Sequence, residues 1–138
     1  MTLSLRVPKS IHEAMLAHAV AELPNECVGF LAGTPDGAVI DRYPLVNALA
    51  SPRRFESEPR SLFEAEKRRR ASGLEFLAAY HSHPTSPAVP SKIDLENSYC
   101  DDVMCVIISL LSPAPDVRAY WLTATTYREA DYHITVDP

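Results

Sequence analysis

Residues 81–94 read HSHPTSPAVPSKID and hold the chain's densest set of potential metal ligands. His81 and His83 sit at the end of EFLAAYHSH (75–83), a mostly apolar segment that predicts a strand stopping at Pro84. Side chains two apart on a strand share a face, so the two imidazoles point the same way. Asp94, further on, can add an oxygen ligand. Two histidines and a carboxylate leave one position of a tetrahedral zinc open for water, and zinc makes hydroxide available near neutral pH. Each piece also has an ordinary reading. The histidines can be two unrelated strand residues, and Ser91-x-x-Asp94 is a helix capping box. Both readings put Asp94 in the first turn of a helix; the metal reading also needs its carboxylate turned towards His81 and His83. Prolines 84, 87 and 90 reduce the freedom of the connecting loop and could fix that approach.

These residues need a scaffold. Alternation of Leu3, Leu5 and Val7 predicts a short strand over 2–7. Ser10 with Glu13 forms a capping-box pattern opening a helix to about Glu22, with Ile11, Met15 and Ala19 on one face. CVGFLAG (27–33) and AVIDRYPL (38–45) flank a PDG turn and predict a hairpin. A loop or ragged strand covers 47–58. A second helix runs from about Arg60 to Ala71, stopped by Ser72-Gly73, and a third from about Lys92 to Cys100. VMCVIISLL (103–111), VRAYWLTA (117–124) and YREADYHITV (127–136) read as strands. Helices inserted between strands of a mixed sheet give an α+β (mixed α/β) class.

The length of 138 residues suits one domain with its own core, and 1–138 is taken as a single unit. A net charge of −5 argues against a globally basic nucleic-acid binder. There is no apolar leader and no membrane-length run, and three cysteines form no disulfide framework, so a reducing cytoplasm is expected.

HSHP, then Ser91, then Asp94 resembles the signature of the JAMM (JAB/MPN+) metalloproteases: His-x-His-Pro, seven intervening residues, Ser-x-x-Asp. That family also carries an upstream glutamate in a P-x-E-x-x-G context, and PNECVG (24–29) points to Glu26. Softer similarity to compact prokaryotic members runs through PLVN (44–47), SPRRF (51–55), EPRSLFEA (58–65) and VIISL (106–110). The resemblance implies an MPN/JAB1-like fold, a curved, mostly antiparallel mixed sheet flanked by about three helices. It implies one zinc per chain held by His81, His83 and Asp94, Glu26 as general base and then acid, and Ser91 as oxyanion donor. The implied reaction is hydrolysis, by a zinc-activated water, of the amide bond after the C-terminal Gly-Gly of ubiquitin-like, sulfur-carrier-type proteins or their conjugates. Nucleic acid and membrane are not expected partners, and a homodimer is left open. The alternative is a non-catalytic scaffold of the same fold that binds ubiquitin-like partners, although such relatives typically lack the ligands kept here. A zinc deaminase is disfavoured because no PCxxC accompanies the histidines.

Other residues carry weaker signals. Glu22 falls on a helix and Glu13 in a capping pattern; a glutamate at a strand start is otherwise a commonplace solvated residue, so it is the resemblance that singles out Glu26. Cys27 reads as a small core residue rather than a nucleophile. Cys100 and Cys105 could approach across a helix-to-strand turn. His12, His18 and His133 lack partners at ligand spacing. Ser109 is either near the site or a buried hydroxyl bonded to backbone, and Tyr120 and Trp121 read as packing residues. Residues 53–70 carry +3 against −8 for the rest, which is either a solvated helix face or a docking patch for an acidic carrier that Arg68 and Arg69 would serve.

Overall fold

A computed structural model describes residues 3–97 and 102–138. The elements run β1 (Leu5–Pro8), α1 (Lys9–Ala21), β2 (Val28–Gly33), β3 (Val39–Leu45), α2 (Pro59–Ser72), β4 (Glu75–His83), α3 (Lys92–Glu96), β5 (Met104–Ser109), β6 (Asp116–Leu122), β7 (Tyr127–Ala130) and β8 (Tyr132–Thr135). Six strands form one mixed sheet in the order β3-β2-β4-β5-β6-β7, and β1 pairs with β8 apart from it. Only the β4–β5 pair is parallel within the large sheet, as the crossover through α3 requires.

Central strand β5 is buried along its whole length, which explains its unbroken apolar run. Its side chains alternate between two layers. Val106 and Ile108 join the core made with α1 and β1, including Leu5, Val7, Met15 and Ala19. Cys105 and Ile107 face the other way, against Ala88 and Tyr120. Helix α2 closes that second face over β2 and β3 through Ala65, with Tyr43, Leu45 and Val28. Glu58 caps α2 by accepting from Ser61 N–H, and Gly73 ends it at φ 69°, a left-handed turn that suits glycine.

Three local expectations are corrected. The Ser10–Glu13 capping box does not form, because β1 runs straight into α1 and Ser10 already lies inside the helix. Its free amide and hydroxyl instead both donate to Asp137 Oδ1, each at 3.0 Å, so a distant carboxylate does the capping. The strand expected over 127–136 is two strands with different partners: β7 extends the large sheet beside β6, while β8 lies parallel to β1. The third helix ends at Glu96 rather than near Cys100; residues 98–100 lie outside the described residues.

One contact fixes the approach of β2 to β4. The Tyr80 ring lies across Gly29, where a methyl group would collide with the ring. That position brings the Tyr80 hydroxyl to Arg42 at 3.0 Å and to His18 Nδ1 at 2.7 Å, which ties α1 to the sheet directly behind the histidine strand. Gly29→Ala is therefore expected to lower stability by about 1–3 kcal/mol through overpacking. Urea unfolding checks this; a midpoint equal to wild type would show that Tyr80 can yield without loss.

Candidate active site

The site forms where β4 ends. His81 and His83 lie on the face away from Tyr80, both buried, and Asp94 is buried opposite them in the first turn of α3. The two Nε2 atoms are 3.2 Å apart. Asp94 Oδ1 is 3.1 Å from His81 Nε2 and Oδ2 is 3.1 Å from His83 Nε2. Among the described residues these three are the group whose donor atoms converge within 4.8 Å. A tetrahedral zinc with bonds of about 2.0–2.1 Å separates its donors by about 3.3–3.4 Å. The spacing of the two Nε2 atoms and the contact of each with one Asp94 oxygen are close to that size, so the donor set fits such an ion.

The capping and ligand geometries of Asp94 coexist. Ser91 Oγ accepts from Asp94 N–H at 3.0 Å, and Asp94 Oδ2 accepts from Ser91 N–H at 2.9 Å. The capping box thus aims the carboxylate instead of competing for it. Burial by itself would raise the Asp94 pKa, but hydrogen bonds from both imidazoles and the Ser91 amide outweigh it and hold the carboxyl far below its usual range. Burial also works against a charged His83, yet the Asp94 and Pro87 hydrogen bonds leave its pKa raised.

The loop over 84–90 is held by three successive carbonyls. Ser109 Oγ donates to Ser86 O at 2.7 Å, His83 Nδ1 bonds Pro87 O at 2.8 Å, and the Tyr120 hydroxyl donates to Ala88 O. The Pro87 bond places a proton of His83 on Nδ1, so Nε2, which bonds Asp94 here, is the nitrogen whose lone pair a metal would take in the neutral ring. His81 has softer neighbours: Cys105 Sγ lies 3.9 Å from its Nδ1 and the Phe55 ring is 4.9 Å away. Ser109 satisfies both of its sequence readings, since its hydroxyl bonds backbone and does so beside the site.

Glu26 is buried just before β2, and its Oε1 has no hydrogen-bond partner. Burial pushes its pKa up to about 8; His83 pulls it down and Asp94 pushes it up. A buried carboxyl with an unused oxygen, electrostatically coupled to the histidine–aspartate group, is suited to accepting and returning a proton near neutral pH. Ser82, between the two histidines, accepts from Cys27 N–H at 2.8 Å and so joins the residue after Glu26 to the histidine strand. Ser91 is exposed at the rim.

The remaining sequence candidates lie elsewhere. Cys27 is a core thiol whose pKa burial raises to about 11, unsuited to a nucleophile. Cys105 is free, and Cys100 lies outside the described residues, so their pairing does too. His12 bonds Tyr132 and His18 bonds Tyr80 on the α1 side. Arg68 sits over the Tyr43 ring and 3.5 Å from Asp41, and Arg69 over the Phe76 ring and 2.5 Å from Glu66. Arg68, through Tyr43 and Asp41, and Arg69, through Phe76, join α2 to the sheet, while Arg68 stays exposed like Arg53, Arg54, Arg60 and Lys67. Sequence reasoning missed Asn47, Ser82 and Tyr120 as site-shaping residues. A lone polar residue beside a ladder carries no spacing signal. An apolar cavity of about 610 Å³ opens beside His81 and Asp94, walled by Phe30, Phe55, Leu62 and Phe76.

Comparison with known proteins places the whole fold. Residues 8–123 match the model of the prokaryotic homologs of the JAB domain. The chain is 39% identical over 98 residues to a probable TtuB-protein conjugate cleaving protease of Thermus thermophilus, covering 70% of this chain and 64% of that protein, a little under two thirds of its length. It is 28% identical over 131 residues to a desampylase of Haloferax volcanii, covering 91% and 92%. A CysO-cysteine peptidase of Mycobacterium bovis is 28% identical over 109 residues, covering 78% and 75%. The solution structure of protein DSY2949 from Desulfitobacterium hafniense superposes with a TM-score of 0.88 at 34% identity, over 96% of this chain and 94% of that one. A JAB1/MPN domain protein of Archaeoglobus fulgidus, AF2198, shares the fold at a TM-score of 0.63 and 16% identity, over 96% and 98%. With its mixed six-stranded sheet, its helices and a family match over most of its length, the chain belongs to the compact prokaryotic JAMM/JAB family.

Proposed function

We propose that the chain is a zinc-dependent peptidase or isopeptidase that hydrolyses the amide bond after the C-terminal Gly-Gly of ubiquitin-like, sulfur-carrier-type proteins or their conjugates. The observation that carries the reading is the buried His81–His83–Asp94 triangle with the orphaned Glu26 carboxyl electrostatically coupled to it. Relatives named for cleaving such conjugates support the substrate class. The free thiols of Cys27 and Cys105 suit a reducing, cytoplasmic setting.

His81, His83 and Asp94 would hold the ion. When bound, zinc supplies a Lewis acid that polarises a carbonyl and lowers the pKa of water towards neutrality. Glu26 takes a proton from the attacking water and delivers it to the departing amine, a task that suits a buried carboxyl whose pKa burial raises and the neighbouring His83 and Asp94 modulate. Ser91 uses an oxygen lone pair as helix cap, so its hydroxyl proton is available for the oxyanion that develops on the carbonyl. The apolar wall beside His81 lowers the local dielectric and so strengthens these charge interactions.

Zinc added to metal-stripped protein should bind at about one ion per chain and, at a hundredfold excess over Kd, stabilise the fold by about 2.7 kcal/mol. His83→Ala should lose both effects. Metal analysis and thermal melts read this, and an unchanged melting curve with no bound ion removes the metal reading. Mixing the zinc-loaded protein with the host's Gly-Gly-ending carriers, each bearing a C-terminal extension, should release the extension, as followed by intact mass. Glu26→Gln should retain zinc and lose roughly 10²–10⁴ in rate; full turnover by that variant would reassign the base, and no cleavage of any carrier by wild type would favour a binding role. Ser91→Ala should cost on the order of 10²–10³ in kcat, on top of about 1 kcal/mol of stability from the lost cap. A rate loss that vanishes at low temperature, where the variant is fully folded, would leave Ser91 as a cap alone.

A further inference from the structure

The loop over residues 47–57 touches both ends of the site. Phe55 packs against the His81 ring, and Ser51 O accepts from Glu26 N–H at 2.8 Å. The loop is a rudimentary hairpin: Ala48 N–H donates to Glu56 O at 2.8 Å and Glu58 N–H to Val46 O at 2.9 Å. At its base, Asn47 uses the full bonding capacity of its side-chain amide. Nδ2 donates to Glu26 O at 3.1 Å and to Arg54 O at 3.0 Å. Oδ1 accepts from Leu49 N–H and Glu56 N–H, each at 3.1 Å. Two donors and two acceptors on one planar group are what this site requires, and an amide side chain supplies them. Aspartate keeps the acceptors and loses both donors; alanine loses everything.

Resting on the peptidase reading for its catalytic meaning, we propose that Asn47 is a positioning residue for Glu26. Its amide joins the Glu26 carbonyl to the loop that also holds the Glu26 amide, so the carboxyl and the loop wall beside His81 are placed as one unit. Glu26 precedes β2 and lacks regular ladder bonds on either side; its main chain is fixed by Ser51, by Asn47 and, one residue on, by Ser82. A carboxyl whose own oxygen is unpaired depends on such backbone anchors for its aim.

The test compares Asn47→Asp with wild type, both zinc-loaded, with Asn47→Ala as the second variant. Asn47→Asp should keep wild-type zinc content, because the ligands come from β4 and α3, and should keep KM within about threefold while kcat falls about 10–100-fold. Placed on Glu26→Gln, it should cause no further loss, since it acts through the residue already removed. A role confined to folding the loop predicts the reverse, because aspartate retains the two acceptor bonds that shape the turn. Wild-type kcat in a folded Asn47→Asp protein, or an equal loss on the Glu26→Gln background, overturns the proposal. Amide hydrogen exchange gives a readout free of activity. The Glu26 amide should exchange about tenfold faster in Asn47→Asp, with β2 amides unchanged; unaltered protection at Glu26 overturns the clamp even if wild type cleaves no carrier, an outcome that would separately defeat the peptidase reading.

Discussion

Everything at the end of β4 turns on one buried carboxylate that must satisfy two demands at once. Asp94 has to close the first turn of α3 by accepting from Ser91 N–H, and it has to face two imidazoles from β4. An uncompensated charge at that depth would cost about 3–5 kcal/mol. The strand end, the proline loop and the short helix are therefore held to one arrangement, the one in which both demands are met. The helix is only five residues long, so its own propensity contributes little and the carboxylate does much of the holding.

The opposite face answers a different requirement. A strand carrying two metal-ligand candidates needs a rigid back, and Tyr80 provides it by lying over Gly29 and bonding α1 and β3. The arginines of α2 fit the same pattern. Arg68 and Arg69 cover aromatic rings and pair with Asp41 and Glu66. At those two positions the basic run also helps to fasten a helix whose buried apolar contact is Ala65.

What could be read in advance was local. The spacing of His81 and His83, the Ser91–Asp94 box, the β2–β3 hairpin and the Gly73 stop all follow from rules spanning a few residues, and all are present. What escaped was long-range. Asp137 caps a helix 127 residues away from it, which no local pattern announces and which displaced the nearer Glu13. The break between β7 and β8 is invisible because alternation continues through it; only the availability of β1 as a second partner explains the split. Asn47 carries no periodicity at all, and its four bonds exist only once the loop has folded around it.

The three pinned carbonyls of the proline loop make the sheet answerable to the site. Their donors come from β4, β5 and β6, three adjacent strands, and each reaches one particular peptide of a loop that prolines keep from stretching. A one-residue slip of β5 or β6 turns its donor to the opposite face and leaves a loop carbonyl without its partner. The ligand triangle can then close only around a correctly registered sheet. On the proposed metal reading, an ion would find this pocket only in chains whose strands have paired in register, so its binding would favour the correctly folded state.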